Sequence, residues 1–449
     1  NTTSTLNVTG AFNNLTINGS SITVTLGGNL DVNGTLTLTA GTLDVSTSNY
    51  TINVAGGWTD TGTAAFTEQT GTVTLDGTQT LNSNEAFYHV TINAPAGTVT
   101  LGNTLTVSGN LTISAGTLDV SGTNYAVTVS NDFSNSGTFT PQSGTVTLSG
   151  TTSAILNPGA SSFNNLTINK TSSTGTLDNV YLQTNNLTVT GTLTLTDGEL
   201  IQTTTNITAG TTSIAAAATW TNQSTGDITI GAGGLANSGV ITWDGNGGAE
   251  GDADAILLRS SQDTVQRTIS GSGTFTIRDV DIKDMSRSAS TTVLSCTNSG
   301  NNTNFTFSAG TSYKTWDGGG GLDTNWSTPA NWSGDSVPGN SDTVVFNSTS
   351  NNNCTIDTAV TVTNLYIAGY TGEISQGGNS ITISSNYSQA SGTFTGGSGA
   401  ISISGNVTMR GGTFTAGSGN ITVTSYVMLL GGTFTSSSGK LILSAEYIR

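Results

Sequence analysis

The chain has 449 residues, and only 8% of them are charged, 10 Lys+Arg against 27 Asp+Glu, for a formal net charge of −17; an ordinary globular chain carries about 25%. That balance gives phosphate backbones and anionic lipid surfaces no electrostatic footprint. A single histidine, His89, leaves no Ser-His-Asp constellation and no His-rich zinc site, and no apolar run reaches the ~18 residues of a transmembrane helix.

Thr, Ser and Asn take the place of charge, a choice that biases a chain toward strands. The alternation begins at Leu6-Asn-Val8. Phe12-Asn-Asn-Leu-Thr-Ile17 then returns as Phe87-Tyr-His-Val-Thr-Ile92 and as Phe163-Asn-Asn-Leu-Thr-Ile168, in steps of 75 and 76 residues. Ala40 to Val45 (AGTLDV) returns at Ala115 to Val120. Between these landmarks short strands such as Leu36-Thr-Leu38 and Val73-Thr-Leu75 are punctuated by Gly, Asn or Asp. The pattern fades near 210–268, through Ala215 to Ala218, Trp220 and a Gly-rich acidic stretch. A Trp-, Gly- and Pro-rich segment follows at 311–353. From 354 to 449 the period is 20: GTFT stands at Gly392, Gly412 and Gly432, and hydrophobic character is kept in the columns Ile381/Ile401/Ile421/Leu441 and Ile374/Phe394/Phe414/Phe434.

A 20-residue unit of three short strands cannot bury a face alone and must stack on its neighbours. Crossovers between parallel strands are right-handed in nearly all cases. The expected fold is therefore all-β, a right-handed parallel β-helix (β-solenoid). It should comprise an N-terminal solenoid over 1–310 with super-repeats of ~75 residues, a Trp-rich junction over 311–353, and a C-terminal solenoid over 354–449. Stacked coils put like residues about 4.8 Å apart, where a column of Lys or Glu would repel itself and a column of Thr does not. Charge depletion follows from the fold.

Four features carry candidate chemistry. Asp244, Asn246, Glu250, Asp252 and Asp254 alternate along a Gly-rich loop in the manner of oxygen ligands for Ca²⁺, or form a solvated acidic excursion. In Arg278-Asp-Val-Asp-Ile-Lys-Asp284 an alternating strand puts Asp279 and Asp281 on one outer face, about 6.6–7 Å apart by strand rise, the separation of an inverting glycosidase pair; nearby Arg278 and Lys283 equally suit a salt-bridged surface without chemistry, which is the reading preferred here. Trp316, Trp326 and Trp332 suit a glycan platform, or the small core of a junction. Cys296 and Cys354 flank that junction and have the count for one staple. Sequons such as those at Asn14, Asn165 and Asn406 follow from composition, and His89 is expected to face solvent.

The segment from Trp316 to Phe346 resembles the W…NW…VP…D-x-V-x-F element of large bacterial surface proteins, autotransporter passengers among them. Phe275 to Phe307 is similar to the ends of β-helix units in such proteins. The resemblance implies an exported protein, secreted, extracellular or on a cell surface. With strand pattern up to both termini, and Arg449 falling in the column of Met409 and Leu429, the expectation is a non-enzymatic homopolymer joined head to tail, with no cofactor beyond Ca²⁺. The alternatives are a monomeric adhesin with surface glycans as partners and a polysaccharide hydrolase.

Overall fold

The computed structural model describes residues 2–171, 178–245, 256–294, 296–308 and 313–443. Among these there is no α-helix, and a turn of 3-10 helix spans Pro329–Asn331. The strands stack in parallel, coil on coil: the chain is a β-solenoid. It divides into two compact units, Asn1–Trp243 with Ile256–Thr291 and Asn298–Thr306, and Asp244–Ala255 with Thr292–Thr297 and Phe307–Arg449.

In the first unit the strands belong to one continuous parallel ladder. Its local logic is plain in Thr35–Asp44, where Leu36 and Leu38 are 0% and 1% exposed while Thr35, Thr37 and Thr39 face outward. The next coil, Gly57–Thr67, sets Trp58 on Leu36 and Thr59 on Thr37. A bulge between Leu38 and Ala40 turns the strand. Gly41 sits at that turn with φ of 88°, and a Cβ there would lie 2.4 Å from the Gly19 carbonyl oxygen, so only glycine fits. One super-repeat later Gly116 has φ of 81° and the same close approach, 2.1 Å, to the Ala94 carbonyl.

The super-repeat has an aromatic basis. Phe12, Phe87 and Phe163 each bridge to a valine of the next coil, Val32, Val107 and Val189. Trp58, Phe66 and Phe87 pack as a trio with ring centroids 5.0 to 5.6 Å apart, and Phe133, Phe139 and Phe163 repeat it at 5.2 to 5.7 Å. Beyond Phe163 the coil continues where the sequence pattern fades. Leu187–Gln202 pairs with Ile207–Asn222 from end to end, and Val240–Asp244 pairs with the latter. The irregularity expected at 210–268 lies in coil length and not in the pairing: the register shifts where this stretch pairs with Ala209 and Thr211, and Ile228 and Leu235 pair with Leu258 and Ile269, in longer steps than the earlier coils take. Trp220 and Trp243, 5.3 Å apart, fill the core volume that Phe fills earlier, so the stack persists while its residue columns change identity.

The second unit confirms the 20-residue coil. Ile381, Ile401, Ile421 and Leu441 pair in succession, as do Tyr387, Val407 and Val427, and Ile374, Phe394, Phe414 and Phe434. Phe394 and Phe414 stack at 4.7 Å and 11°, Phe414 and Phe434 at 5.2 Å and 8°. The boundary expected at 353 does not hold. Tyr313–Thr315 pairs with Thr343–Phe346, which pairs with Asn364–Ile367, and the three tryptophans share one core with the later coils. The Trp-rich segment is the beginning of the C-terminal solenoid.

Candidate functional site

The tryptophans come first because their burial decides their role. Trp316, Trp326 and Trp332 are 0%, 1% and 0% exposed. Trp332 meets Trp316 edge to face at 5.0 Å and Trp326 at 4.6 Å, and Phe346 stacks on Trp316 at 5.7 Å. Two of the indole N–H groups are satisfied within the protein: Trp316 donates to the Asn352 carbonyl at 2.9 Å, Trp332 to the Trp326 carbonyl at 2.6 Å. Buried Asn331 holds the loop between them, donating to the carbonyls of Asp323 and Asn325 and accepting from Gly320 N–H. No indole face is left for a sugar, so the glycan platform is corrected to a core, as expected where a short segment needs large apolar area.

The paired-carboxylate geometry also fails. Val280 and Ile282 do point inward, at 1% and 0% exposure. The strand, however, starts at Val280. Asp279 precedes it with φ of 50°, a left-handed corner that breaks the alternation, and its side chain is buried, 4.0 Å from Arg278 Nε. Asp281 lies outward in an ion pair with Arg259 at 2.6 Å. Lys283 pairs with Asp263, whose carboxyl the Lys283 hydrogen bond holds below the usual range. Asp284 accepts from Thr264 N–H at 3.0 Å and Asn301 Nδ2 at 2.6 Å. The densest charge in the chain is thus spent on holding one coil to the next.

Of the calcium candidates only Asp244 is described; Asn246, Glu250, Asp252 and Asp254 lie outside the described residues, as does Arg449. Among the described residues no three His, Cys, Asp or Glu side chains gather in a metal-holding group. Cys296 and Cys354 are not joined by a disulfide. Cys354 is sealed in the second unit's core, where burial and then Asp357 push its thiol well up. The Cys296 thiol donates to the Leu294 carbonyl at 3.3 Å. His89 is half-buried rather than solvent-facing; its Nδ1 accepts from Asn110 N–H at 3.0 Å, and burial lowers its pKa against the pull of Asp132.

Two features escaped the sequence reading. Lys170 is fully buried and donates from Nζ to the Ser130 carbonyl at 2.7 Å; burial pushes its ammonium down to about 8, opposed by Asp178 and Asp132. Its signal was present, since strict alternation from Leu166 and Ile168 points residue 170 inward. The second is a recess of about 480 Å³ where Gly191, Gly210 and Gly231 leave the corner of successive coils without side chains. Thr190, Thr192, Thr208 and Ser261 line it together with Val189, Ala209 and Ala232, and no charged group does, so its polar groups are hydroxyls and backbone alone. Comparison with known protein families, curated proteins and solved structures gives no match.

Proposed function

We propose that the protein is a non-enzymatic structural subunit of an extracellular or cell-surface fibre, with a scaffolding role. The observation that carries this reading is the repeated stacking of like residues from coil to coil. On one outer face of the first unit Thr106, Thr128, Thr147, Thr167, Thr194 and Ser213 follow one another in register. At the corners asparagines make the same bond repeatedly: Asn14 Oδ1 accepts from Thr35 N–H, Asn165 from Thr192, Asn186 from Asn206, and Asn206 from Asp227, at 2.8 to 3.0 Å. Such a surface adds length in equal increments, which suits a spacer or fibre. Placement outside the cell goes with it, since 10 Lys+Arg in 449 residues present few sites to trypsin-like proteases.

Sedimentation velocity and electron microscopy over a concentration series test the fibre reading. Polymers that grow with concentration are expected. A monomer at every concentration overturns the fibre, and labelling of permeabilised but not intact cells of the native host overturns the surface location.

A further inference from the structure

Where two alternating outward positions on a strand are both threonine, and the same holds on the strands above and below, the result is a two-dimensional net. The second unit carries one. Thr393 and Thr395 lie beneath Thr413 and Thr415, and these beneath Thr433 and Thr435, in register and without insertion. Under the net run Phe394, Phe414 and Phe434, whose rings are within 11° and 8° of parallel. That column keeps the rings of three successive coils in one orientation beneath the net.

The first unit carries a second net built from different residues. Thr80 pairs with Thr100, Thr98 with Thr117 and Thr117 with Thr138, while Thr140 pairs with Asp119. Thr98 N–H bonds to Thr78 Oγ1, which adds Thr78 to the first rank. Four coils thus present two ranks of threonine broken only by Asp119. Val99, Leu118 and Phe139 are packed beneath at 0%, 0% and 3% exposure.

The spacing is set by β geometry: about 4.8 Å between coils and about 6.6 Å between ranks. The β-branched side chain is stiff at χ1, so methyls and hydroxyls repeat with little entropy left to lose. Among the described residues no protein partner engages the hydroxyls of Thr393, Thr413, Thr415, Thr433 or Thr435, whereas Thr395 donates to Glu373 at the border of the net. A periodic net of methyls and hydroxyls holds first-shell water in a lattice of its own period, and bridging water bonds are nearly as favourable as direct ones. The rectangular net is comparable with the oxygen spacing on the prism face of hexagonal ice. We propose that these threonine nets bind ice, with the ordered water they hold continuing into the crystal. Ice is the ligand because a periodic surface of this kind selects a periodic partner, and neither net has the recess that a discrete molecule needs; the one charge within a net, Asp119, is engaged by Ser121 N–H and Gln142 Nε2. This inference does not rest on the fibre reading.

The test is partitioning of the purified full-length chain into slowly grown polycrystalline ice, with thermal hysteresis measured on the same sample. The expected result is enrichment in ice of fivefold or more over a globular control of similar mass. The variants T413Y/T415Y and T98Y/T100Y place bulk on each net from outward positions that leave the core untouched. At least one should lower the enrichment, and the quadruple variant should fall to the control with an unchanged circular dichroism spectrum. Exclusion of the wild-type chain from ice like the control overturns the proposal, whatever the variants do, as does a folded quadruple variant that partitions like the wild type.

Discussion

Trp332 fills the space between Trp316, Trp326 and Phe346 and ties its indole to the Trp326 carbonyl. Trp332→Ala should therefore cost about 3–5 kcal/mol, read as a lower urea midpoint for the second unit, with no change in any glycan-binding assay. Lys170 makes a prediction of opposite kind. Its unfolded value is 10.5 and its folded value about 8, so between those limits the unfolded chain holds the extra proton and stability rises with pH. Raising pH from 7 to 9.5 should stabilise the first unit by about 1–2 kcal/mol, and Lys170→Met should abolish that slope in denaturant titrations. At this scale the sequence was informative wherever alternation ran unbroken. It failed at Asp279, where one left-handed residue put the side chain inward, and a φ angle leaves no trace in a list of residue types.

The coil is the element that matters, and its equal length has a direct consequence. Removing residues 401–420 would set Ile421 on Ile381, Val423 on Ile383 and Phe434 beside Phe414's former partner Phe394, restoring every column. That deletion should fold, losing strand signal in proportion to its length, whereas deleting 401–410 should abolish the cooperative transition of the second unit in thermal melts followed by circular dichroism. The columns themselves were legible because aliphatic and aromatic residues recur at fixed offsets. The coils at 210–244 were not, because Ala, Gly and Trp replace Leu and Phe there while pairing is kept by backbone hydrogen bonds, which any residue except proline can make.

For the chain as a whole, the division into two units places the Trp-rich segment with the C-terminal coils. A fragment of residues 307–449 should fold by itself and show the blue-shifted emission of buried tryptophan; red-shifted emission in buffer would show that its core needs the rest of the chain. The sequence predicted a junction here because proline and glycine usually mark linkers. In this segment they shape a loop around three large rings instead, and burial of that area outweighs the local signal.

The uniform coil of the second unit also governs how that unit yields to force. Hydrogen bonds between coils run along the stacking direction, so a pull on a chain end peels the outermost coil strand by strand while its neighbours stay closed. Each 20-residue coil of the second unit releases about 70 Å of contour at 3.3–3.6 Å per residue. Stretching that unit in an optical trap should give a staircase of equal steps near this length rather than one rupture, an elastic behaviour in which extension is metered out coil by coil and recovered when the load is released.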